Sequence, residues 1–299
     1  MASTKEIKQK IKSTSNIKKI AKTMEMVSVS KMRRAVDRTL SSRAYARLSL
    51  ELLVNLSKDR DVEHPLMKAG RDASGELLIV VAGNKGLCGG YHTNLTRALN
   101  LYTKKRGGEN FKAITVGKYG EKICRKLGIP IVASFINFSE YSTTDEVKIL
   151  SDLAKKEFVE NNYKSAKILY TEFLKSTTYK PSLRELFPLS VNSVKNALEP
   201  AGITAEADEK RFLSYVFEPD PATIIESILP GLVDVVIHQT LSESFASEHS
   251  ARMFAMKNAG DNATTILDAL MLSYNHARQD GITRELSEIV AGAEALNVN

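Results

Sequence analysis

The sequence contains only two cysteines, Cys88 and Cys124, and no tryptophan. Two cysteines in 299 residues exclude a disulfide framework and a cysteine-based zinc module, and they are typical of a protein in a reducing compartment. No apolar run approaches the roughly 18 residues that we expect of a membrane-spanning helix. The N-terminal residues lack the apolar core of a secretory signal, and because Glu6 lies in a helical pattern there, we expect no organelle transit peptide.

Residue types that perform catalysis or bind metals are present, but they form no known constellation. None of the five histidines lies four residues from another, and neither HExxH nor GxSxG occurs. Glu285 and Glu288 share a helix face, which is the spacing of ordinary solvated side chains. The sequence therefore predicts no catalytic residue, no metal site and no cofactor.

Positive charge is concentrated at the N-terminus. The formal net charge is +7, and residues 1–34 contain ten basic and two acidic side chains, so the rest of the chain is nearly neutral. Such an arm can bind nucleic acid, an anionic membrane surface or an acidic protein, or it can be a solvated helix face. Nucleic acid lacks support, because the first 44 residues contain no aromatic side chain to stack on bases.

Residues 4–58 contain neither glycine nor proline, which predicts one long helix. Ile17, Ile20, Met24 and Val27 are spaced by 3, 4 and 3 residues and form the predicted packing seam of this helix. A helix of this length spans roughly 80 Å. A compact domain of this mass does not need such a length, so we expect the helix to pair with another.

The C-terminal residues, from about 221 to 296, also have a helical pattern, with a kink or restart expected at Pro230-Gly231. The heptad-like seam of this region is rich in small residues and consists of Met256, Ala259, Ala263, Ile266, Leu270 and Ala277. We therefore predict a long antiparallel coiled coil of the N- and C-terminal helices. Two helices of an ordinary bundle are the alternative.

Strand and helix patterns alternate between the terminal helices, which predicts an inserted Rossmann-like α/β domain with a parallel or mostly parallel sheet. Strands are expected at 76–82, 111–116, 129–135, 166–173 and 183–189, and helices at 92–106, 118–127 and 144–161, the last capped by Thr144. A last short strand is considered at 214–218. The predicted organisation is an N-terminal coiled-coil helix (1–58), the α/β domain (74–195), a linker (196–213) and a C-terminal coiled-coil helix (214–299).

A glycine-rich loop at residues 83–90 follows the first strand and precedes a helix, where phosphate-binding loops lie in many α/β proteins. The loop contains neither GxxxxGK[ST] nor GxGxxG, so close backbone packing is the favoured interpretation. A nucleotide-binding α/β enzyme that uses this loop is the alternative. Cys88 has no neighbouring histidine or acid in the sequence, which favours a small packed residue over a reactive thiol.

Three regions carry a family resemblance. They are residues 18–34 (KKIAKTMEMVSVSKMRR), the loop 86–90 (GLCGG) with Asn94, and the C-terminal segments 247–258, 261–263, 274–279, 282–283 and 285–290. In this order, over nearly the whole chain, they resemble the gamma subunit of rotary F-type ATP synthases. The chain departs from that family at Asn84-Lys85, where an acidic residue and an arginine are usual, and at Gly260 and Gly281.

The resemblance implies the central rotor shaft of a bacterial, proton-translocating ATP synthase. It implies one copy of the chain, with three alpha and three beta subunits around the coiled coil, and the epsilon subunit and the c-ring against the α/β domain. Proton flow would turn the shaft and carry each beta subunit through its nucleotide-binding states, so that the chain itself is non-catalytic. The implied location is the cytoplasmic face of the bacterial inner membrane, as a peripheral protein.

Contacts with the partner subunits are assigned through the same resemblance. They are Met24, Lys31, Arg33, Arg34, Arg278, Gln279 and Glu285.

Overall fold

The computed structural model describes residues 4–41, 43–56, 64–69, 73–107, 110–161, 163–190, 193–194 and 220–297. The elements in chain order are α1 (Thr4–Ser41), α2 (Arg43–Leu56), a 3₁₀ turn (Pro65–Met67), β1 (Glu76–Val81), α3 (Tyr91–Lys105), β2 (Phe111–Val116), α4 (Lys118–Lys126), β3 (Ile131–Phe135), α5 (Thr144–Glu160), β4 (Ser165–Lys175), β5 (Thr178–Phe187) and α6 (Pro221–Asn297). The predicted linker at 196–213 and the strand at 214–218 lie outside the described residues.

The described residues divide into two compact units. The terminal unit comprises those within Met1–Val27 and Met253–Asn299, and the central unit comprises those within Ser28–Arg252. Helices α1 and α6 contribute residues to both units. The domain boundaries predicted from the sequence stay a prediction.

The central unit contains a five-stranded sheet with the strand order β3-β2-β1-β4-β5. The first four strands are parallel, and β5 pairs antiparallel with β4. The prediction of a mostly parallel α/β sheet is therefore confirmed. The fifth strand begins at Thr178, five residues earlier than predicted, because Pro181 obscured its pattern; proline is tolerated there since β5 is an edge strand.

The central strand β1 is buried at every residue and supplies both faces of the core. Leu77, Ile79 and Val81 pack in a cluster with side chains of α2, α5 and α6. Leu78 and Val80 pack on the opposite face with side chains of α3 and α4. A strand covered on both faces has a continuous apolar sequence, which is why this segment was recognisable from its pattern.

The predicted cap of α5 is wrong, and α6 has no restart at Pro230. Helix α5 is capped by Thr143 rather than Thr144: Thr143 Oγ1 accepts a hydrogen bond from the Glu146 amide at 3.3 Å, and Glu146 Oε2 accepts one from the Thr143 amide at 3.0 Å. Of the two threonines, only Thr143 has a glutamate three residues later, as this reciprocal cap requires. Helix α6 continues through Pro230, because the buried neighbours Leu229 and Leu232 hold it in the core.

Helix α6 also corrects the expectation that no apolar run is long enough to span a membrane. The region Thr223–Ala293 contains an 18-residue window of mean hydropathy 1.4, which meets the length and composition of a span. Half of that window is buried within the protein. Its apolar side chains, such as Val233 and Ile237, pack in the core of the central unit, and this packing accounts for its composition.

The two helices run in opposite directions within the central unit. Arg38 of α1 lines a small cavity together with His238 of α6, whereas Lys31, two turns earlier, is linked through Glu140 to His249. Residues nearer the N-terminus of α1 therefore lie beside residues nearer the C-terminus of α6. The predicted fold class, an α/β domain inserted in a long antiparallel coiled coil, is confirmed.

Three of the four residues of the predicted α1 seam lie outside the observed one, whereas the fourth, Met24, is half-buried. Ile17, Ile20 and Val27 are 54%, 60% and 48% exposed. The buried and half-buried positions of α1 in the terminal unit instead include 7, 11, 14, 18 and 21, which alternate in steps of 4 and 3. Of these, Ile7 and Ala21 are fully buried. The seam thus contains small and polar side chains, which allow close helix approach, and the most apolar stripe of α1 faces outward.

The seam of α6 in the terminal unit agrees better with the prediction. Met256 and Ala263 are buried, and Ala259, Leu270 and Ala277 are half-buried. The sixth predicted member, Ile266, is 51% exposed, and the neighbouring Leu267 is half-buried instead.

Candidate functional site

Every residue of α6 from Gln239 to Arg252 is buried, although this stretch is rich in serine, glutamate and other polar side chains. Buried polar groups need hydrogen-bond partners, because they have lost those that water supplied. The partners come from the glycine loop 83–90, the loop before α5, α3, β4 and the β4–β5 turn, and from α6 itself. We call the set Lys31, Glu140, Glu248, His249 and Arg252 the polar anchor.

Arg252 connects α6 to the glycine loop. Its Nη2 donates to the Lys85 carbonyl oxygen at 3.0 Å and to Glu248 Oε1, and its Nε donates to the Gly86 carbonyl oxygen at 3.2 Å. The side chains of Arg252 and Glu248 are 6% and 8% exposed. The arginine is therefore balanced by a buried carboxylate and bonded to two loop carbonyls, which is how a guanidinium can be buried at acceptable cost.

The glycine loop packs against α6 and is not arranged to bind phosphate. A Cβ at Gly83 would lie 2.4 Å from Glu248 Cδ, so only glycine allows this approach. The Lys85 and Gly86 carbonyl oxygens are turned towards Arg252. Carbonyl oxygens and a carboxylate at the loop repel an anion, so nothing in this geometry favours the nucleotide-binding alternative.

Cys88, in the same loop, is 2% exposed. Burial raises the pKa of its thiol, with a smaller opposing effect from Arg252. A thiol that is buried and protonated is a poor nucleophile, in agreement with the interpretation of Cys88 as a packed residue.

Glu140 lies between α1 and α6. Its Oε1 is 2.5 Å from Lys31 Nζ, and its Oε2 is 3.2 Å from Nε2 of His249. The other ring nitrogen, Nδ1, lies 3.2 Å from Arg252 Nη1. A neutral imidazole with its proton on Nε2 donates to Glu140 and accepts from Arg252, so both ring nitrogens are satisfied.

At Glu140, the hydrogen bonds and ion pairs together lower the pKa by more than burial raises it. Burial by itself raises the pKa of this carboxyl, but the hydrogen bonds from His249 and Lys31 lower it to about 2. Its ordinary value is 4.5, so the carboxylate stabilises the fold above about pH 4.5, and this contribution is lost as the pH falls through about 2.

We therefore expect Glu140→Gln to lower the free energy of unfolding by about 1–3 kcal/mol at neutral pH. The difference from the wild type should shrink below about pH 4.5 and vanish near pH 2, where the wild-type carboxyl is protonated. Urea unfolding of the full chain across this pH range measures it. Glu160→Gln, an exposed carboxylate on α5, is the matched control and should change stability by less than about 0.5 kcal/mol. A difference that stays constant down to pH 2 would contradict the ionic explanation.

The structure places the predicted partner contacts of α1 in different environments. Lys31 is paired with the buried Glu140. Arg34 donates to the Tyr141 hydroxyl, with its guanidinium 4.8 Å from the centre of that ring. Arg33 is exposed, and Met24 is half-buried in the terminal unit. Arg33 thus differs from its basic neighbours Lys31 and Arg34, which contact other side chains of the chain itself.

The predicted contacts on α6 are all exposed. Arg278, Gln279 and Glu285 belong to a region, from 278 to 293, in which every side chain is exposed. This region also exposes large apolar side chains, namely Ile282, Leu286, Ile289 and Val290. Apolar side chains exposed on successive turns mark a surface that another molecule covers.

Sequence reasoning missed most of the polar anchor. Glu248, His249 and Arg252 lie within a segment that carries the family resemblance, but the loop residues that His249 and Arg252 contact are 100 or more residues away along the chain. Glu140 has no signal in the sequence, because a single glutamate in a loop is normally solvated. Only the close approach of Gly83 to α6 had a signal, in the glycine-rich composition of its loop.

Comparison with known proteins covers the whole chain. A family model described as ATP synthase matches residues 3–296. An ATP synthase gamma chain from Cupriavidus metallidurans is 36% identical over 301 residues, covering 99% of this chain and 100% of the relative. One from Verminephrobacter eiseniae is 37% identical over 302 residues, covering 99% of each chain. This chain belongs to the ATP synthase gamma chain family.

Solved structures agree at the level of the fold. A chain from the Euglena gracilis mitochondrial ATP synthase, in a structure of OSCP/F1/c-ring in rotational state 3, has a TM-score of 0.69 at 20% identity, covering 98% of this chain and 94% of that one. A chain from the rotor of the same enzyme in rotational state 1 has a TM-score of 0.64 at 19% identity, covering 93% and 98%. The family assignment confirms the prediction of an ATP synthase gamma subunit.

Proposed function

We propose that this chain is the non-catalytic rotor shaft of a proton-translocating ATP synthase. It couples rotation of a c-ring to the conformational cycle of the catalytic beta subunits. The observation that carries this proposal is the match to gamma chains over residues 3–296, from end to end of the fold. Catalysis then belongs to other subunits, and the chain's task is mechanical.

Exposed apolar surface in the terminal unit supports a surrounding sleeve of three alpha and three beta subunits. On α1 the outward stripe contains Ile17, Ile20 and Val27, and on α6 it contains Leu286 and Ile289. Apolar contacts lack direction, so they hold a shaft in place without fixing one rotary angle. The apolar stripe that the sequence suggested as the internal seam is, on this proposal, the bearing surface.

Charged contacts would then set preferred angles. Arg33 on α1 and Arg278 on α6 are exposed, and they are the arginines we assign to contacts with acidic loops of beta. Gln279 and Glu285 extend the second contact, and Met24 lies near the first in sequence. Lys31 and Arg34 contact Glu140 and Tyr141 of this chain. We assign them an indirect role, in which they hold in place the part of α1 that carries Arg33.

The central unit has its own proposed partners, which are different from the alpha and beta subunits. We propose that the α/β fold of the central unit contacts the c-ring and the epsilon subunit, with one copy of the chain in each complex. The chain would then be peripheral to the membrane, on the cytoplasmic face of the bacterial inner membrane. Membership in the gamma chain family supports a membrane-associated complex.

We expect Arg33→Ala and Arg278→Ala each to weaken coupling without unfolding the chain, since both side chains are exposed. Loss of a partly solvated ion pair with a partner costs about 0.5–3 kcal/mol. ATP-driven proton pumping in inverted membrane vesicles, divided by the rate of ATP hydrolysis, measures the effect. Arg125→Ala, an exposed arginine on α4, is the matched control and should leave the ratio unchanged. Wild-type ratios in both test variants would remove these two contacts from the proposal.

The assembly itself is tested by the native mass and subunit composition of a tagged copy purified from solubilised membranes. We expect one copy with three alpha and three beta subunits, together with ATPase activity. A homodimer or a monomer, recovered from the soluble fraction alone, would contradict the proposed shaft.

A further inference from the structure

A second buried polar cluster lies in the central unit, where the β4–β5 hairpin packs against α6. Three of its polar atoms form no hydrogen bond with the part of the chain that the structure describes: the Tyr170 hydroxyl, Arg184 Nε and Glu243 Oε2. Tyr170 and Glu243 are 0% and 3% exposed, so water does not reach them from the surface. We call Tyr170, Glu172, Arg184 and Glu243 the hairpin cluster.

The members of the hairpin cluster face one another. Arg184 pairs with Ile168 in the β4–β5 ladder, so its side chain is on the same face of the sheet as Tyr170 and Glu172. The Arg184 guanidinium lies 5.9 Å from the centre of the Tyr170 ring. Glu243 approaches this face from α6, close enough to interact electrostatically with Arg184 and Glu172.

Arg184, the half-buried cation of the cluster, is already paired. Arg184 Nη2 lies 3.2 Å from Glu172 Oε2, which also accepts from Ser182 at 2.7 Å and lies 3.5 Å from Lys180 Nζ. Glu243 Oε1 accepts a hydrogen bond from the neutral amide of Gln239 at 3.2 Å, and a hydrogen bond with the Phe173 backbone also lowers the pKa of this carboxyl; both partners are uncharged. A second buried carboxylate beside the Arg184–Glu172 pair is therefore poorly compensated, and burying such a charge is costly.

A proton on Glu243 removes this cost. The neutral carboxyl carries no charge to desolvate, and its O–H turns the unpartnered Oε2 into a donor. The Tyr170 hydroxyl interacts electrostatically with Glu243, and its oxygen can accept this hydrogen bond. No oxidant, reductant or metal is needed, because the only change is one proton taken from solvent and returned to it.

We propose that the hairpin cluster is a proton-binding site in which Glu243 gains and loses a proton near neutral pH, so that the packing of the β4–β5 hairpin on α6 depends on pH. Burial raises the pKa of Glu243 to about 7, against smaller lowering effects of Gln239 and Arg184, while Glu172 raises it further. One turn further along α6, Ser247 Oγ donates to the Thr171 carbonyl oxygen at 3.1 Å, and this bond joins the same two elements.

The direction of the pH effect on stability follows from the raised pKa of Glu243. The folded chain holds the proton more tightly than the unfolded chain, whose carboxyl has a pKa near 4.5. The stabilisation that this provides is complete below about pH 4.5 and is lost as the pH rises through about 7. Between about pH 4.5 and pH 7 the unfolding equilibrium should shift by about tenfold for each pH unit, as for any single coupled proton, and it should level off above about pH 7.

The direct test is an infrared titration of the carboxyl groups in the full chain, from about pH 5 to pH 9. We expect one protonated carboxyl to ionise with a midpoint near 7 in the wild type and in Glu185→Gln, an exposed control on β5. That signal should be absent in Glu243→Gln. A wild-type titration without a carboxyl signal above pH 5, or a signal retained in Glu243→Gln, would overturn the proposal.

Stability provides a second readout. The melting temperature of the wild type should fall between about pH 6 and pH 8 relative to that of Glu243→Gln, whose neutral amide cannot ionise. Equal pH profiles in the two proteins would again count against the site.

Should Glu243→Gln fail to fold, Arg184→Gln serves instead. Removing the neighbouring cation should raise the midpoint of the infrared titration, and an unchanged midpoint would refute the assignment to Glu243.

Discussion

Arg252→Ala is expected to lower the free energy of unfolding by about 3–5 kcal/mol, because it breaks a buried ion pair from one side. Glu248 would stay buried without its cation, and the carbonyl oxygens of Lys85 and Gly86 would lose their donor. His249 Nδ1 would lose a partner as well. Glu248 and His249, each 6% exposed, are too deep in the central unit to be solvated in place of the arginine.

Urea unfolding of the full chain, followed by circular dichroism, measures this loss. Arg252→Lys keeps the charge but not the planar fork that reaches several acceptors, so its stability should lie between those of the wild type and Arg252→Ala. Arg125→Ala is the control: its side chain is 73% exposed and pairs with Glu121 on the same helix, and the change should cost about 0.5 kcal/mol or less. If Arg252→Ala were as mild as that control, the polar anchor would contribute little to stability.

Gly117→Ala is expected to cost about 3–5 kcal/mol, whereas Gly128→Ala should cost about 1–2 kcal/mol. Both glycines have positive φ, 83° and 70°, so both variants suffer the strain of a left-handed backbone. Only the Gly117 variant also has a steric clash. A Cβ added at Gly117 would lie 2.2 Å from the Ala82 carbonyl oxygen, whereas nothing lies within 4 Å of a Cβ added at Gly128. The larger loss expected at Gly117 therefore combines the contact with Ala82 and the strain of a backbone conformation, φ 83° and ψ 150°, that essentially only glycine adopts.

Gly117 positions the carboxyl ends of two strands beside the glycine loop. Its amide donates to the Phe135 carbonyl oxygen at 2.8 Å, and the Ala82 amide next to it donates to Val116 at 2.9 Å. Relief of the clash would move the backbone that carries Gly83 towards or away from Glu248. Melting temperatures of the two variants provide the comparison, and equal losses would show that strain, rather than contact with Ala82, explains the glycine at 117.

The elements of this protein were largely determined by local sequence. The absence of glycine and proline from residues 4–58 predicted the helical N-terminal region, and the structure has α1 and α2 there. The apolar run of β1 and the alternation of strands with helices predicted the mostly parallel sheet. Three sequence regions identified the family. These features depend on the chain's own periodicity and composition, which do not require knowledge of distant contacts.

The contacts between elements were decided by the tertiary structure. An apolar stripe such as Ile17, Ile20 and Val27 shows only that a face is to be covered; whether this chain or a partner covers it is not encoded in the spacing. Pro230 breaks helices in isolation, yet core packing of Leu229 and Leu232 keeps α6 continuous. The helix preference of a single residue changes the free energy of folding by about 1–3 kcal/mol. Burial of the apolar side chains of a whole helix contributes more than that.

The polar anchor and the hairpin cluster show the same division at the level of single side chains. Glu140 lies 109 residues from His249 along the chain, and Glu243 lies 59 residues from Arg184. A glutamate is by default a solvated residue, and only the fold decides which ones lose their water. The sequence by itself therefore determined the elements and the family, and the tertiary structure determined which charges are buried, because desolvation depends on neighbours that only folding brings together.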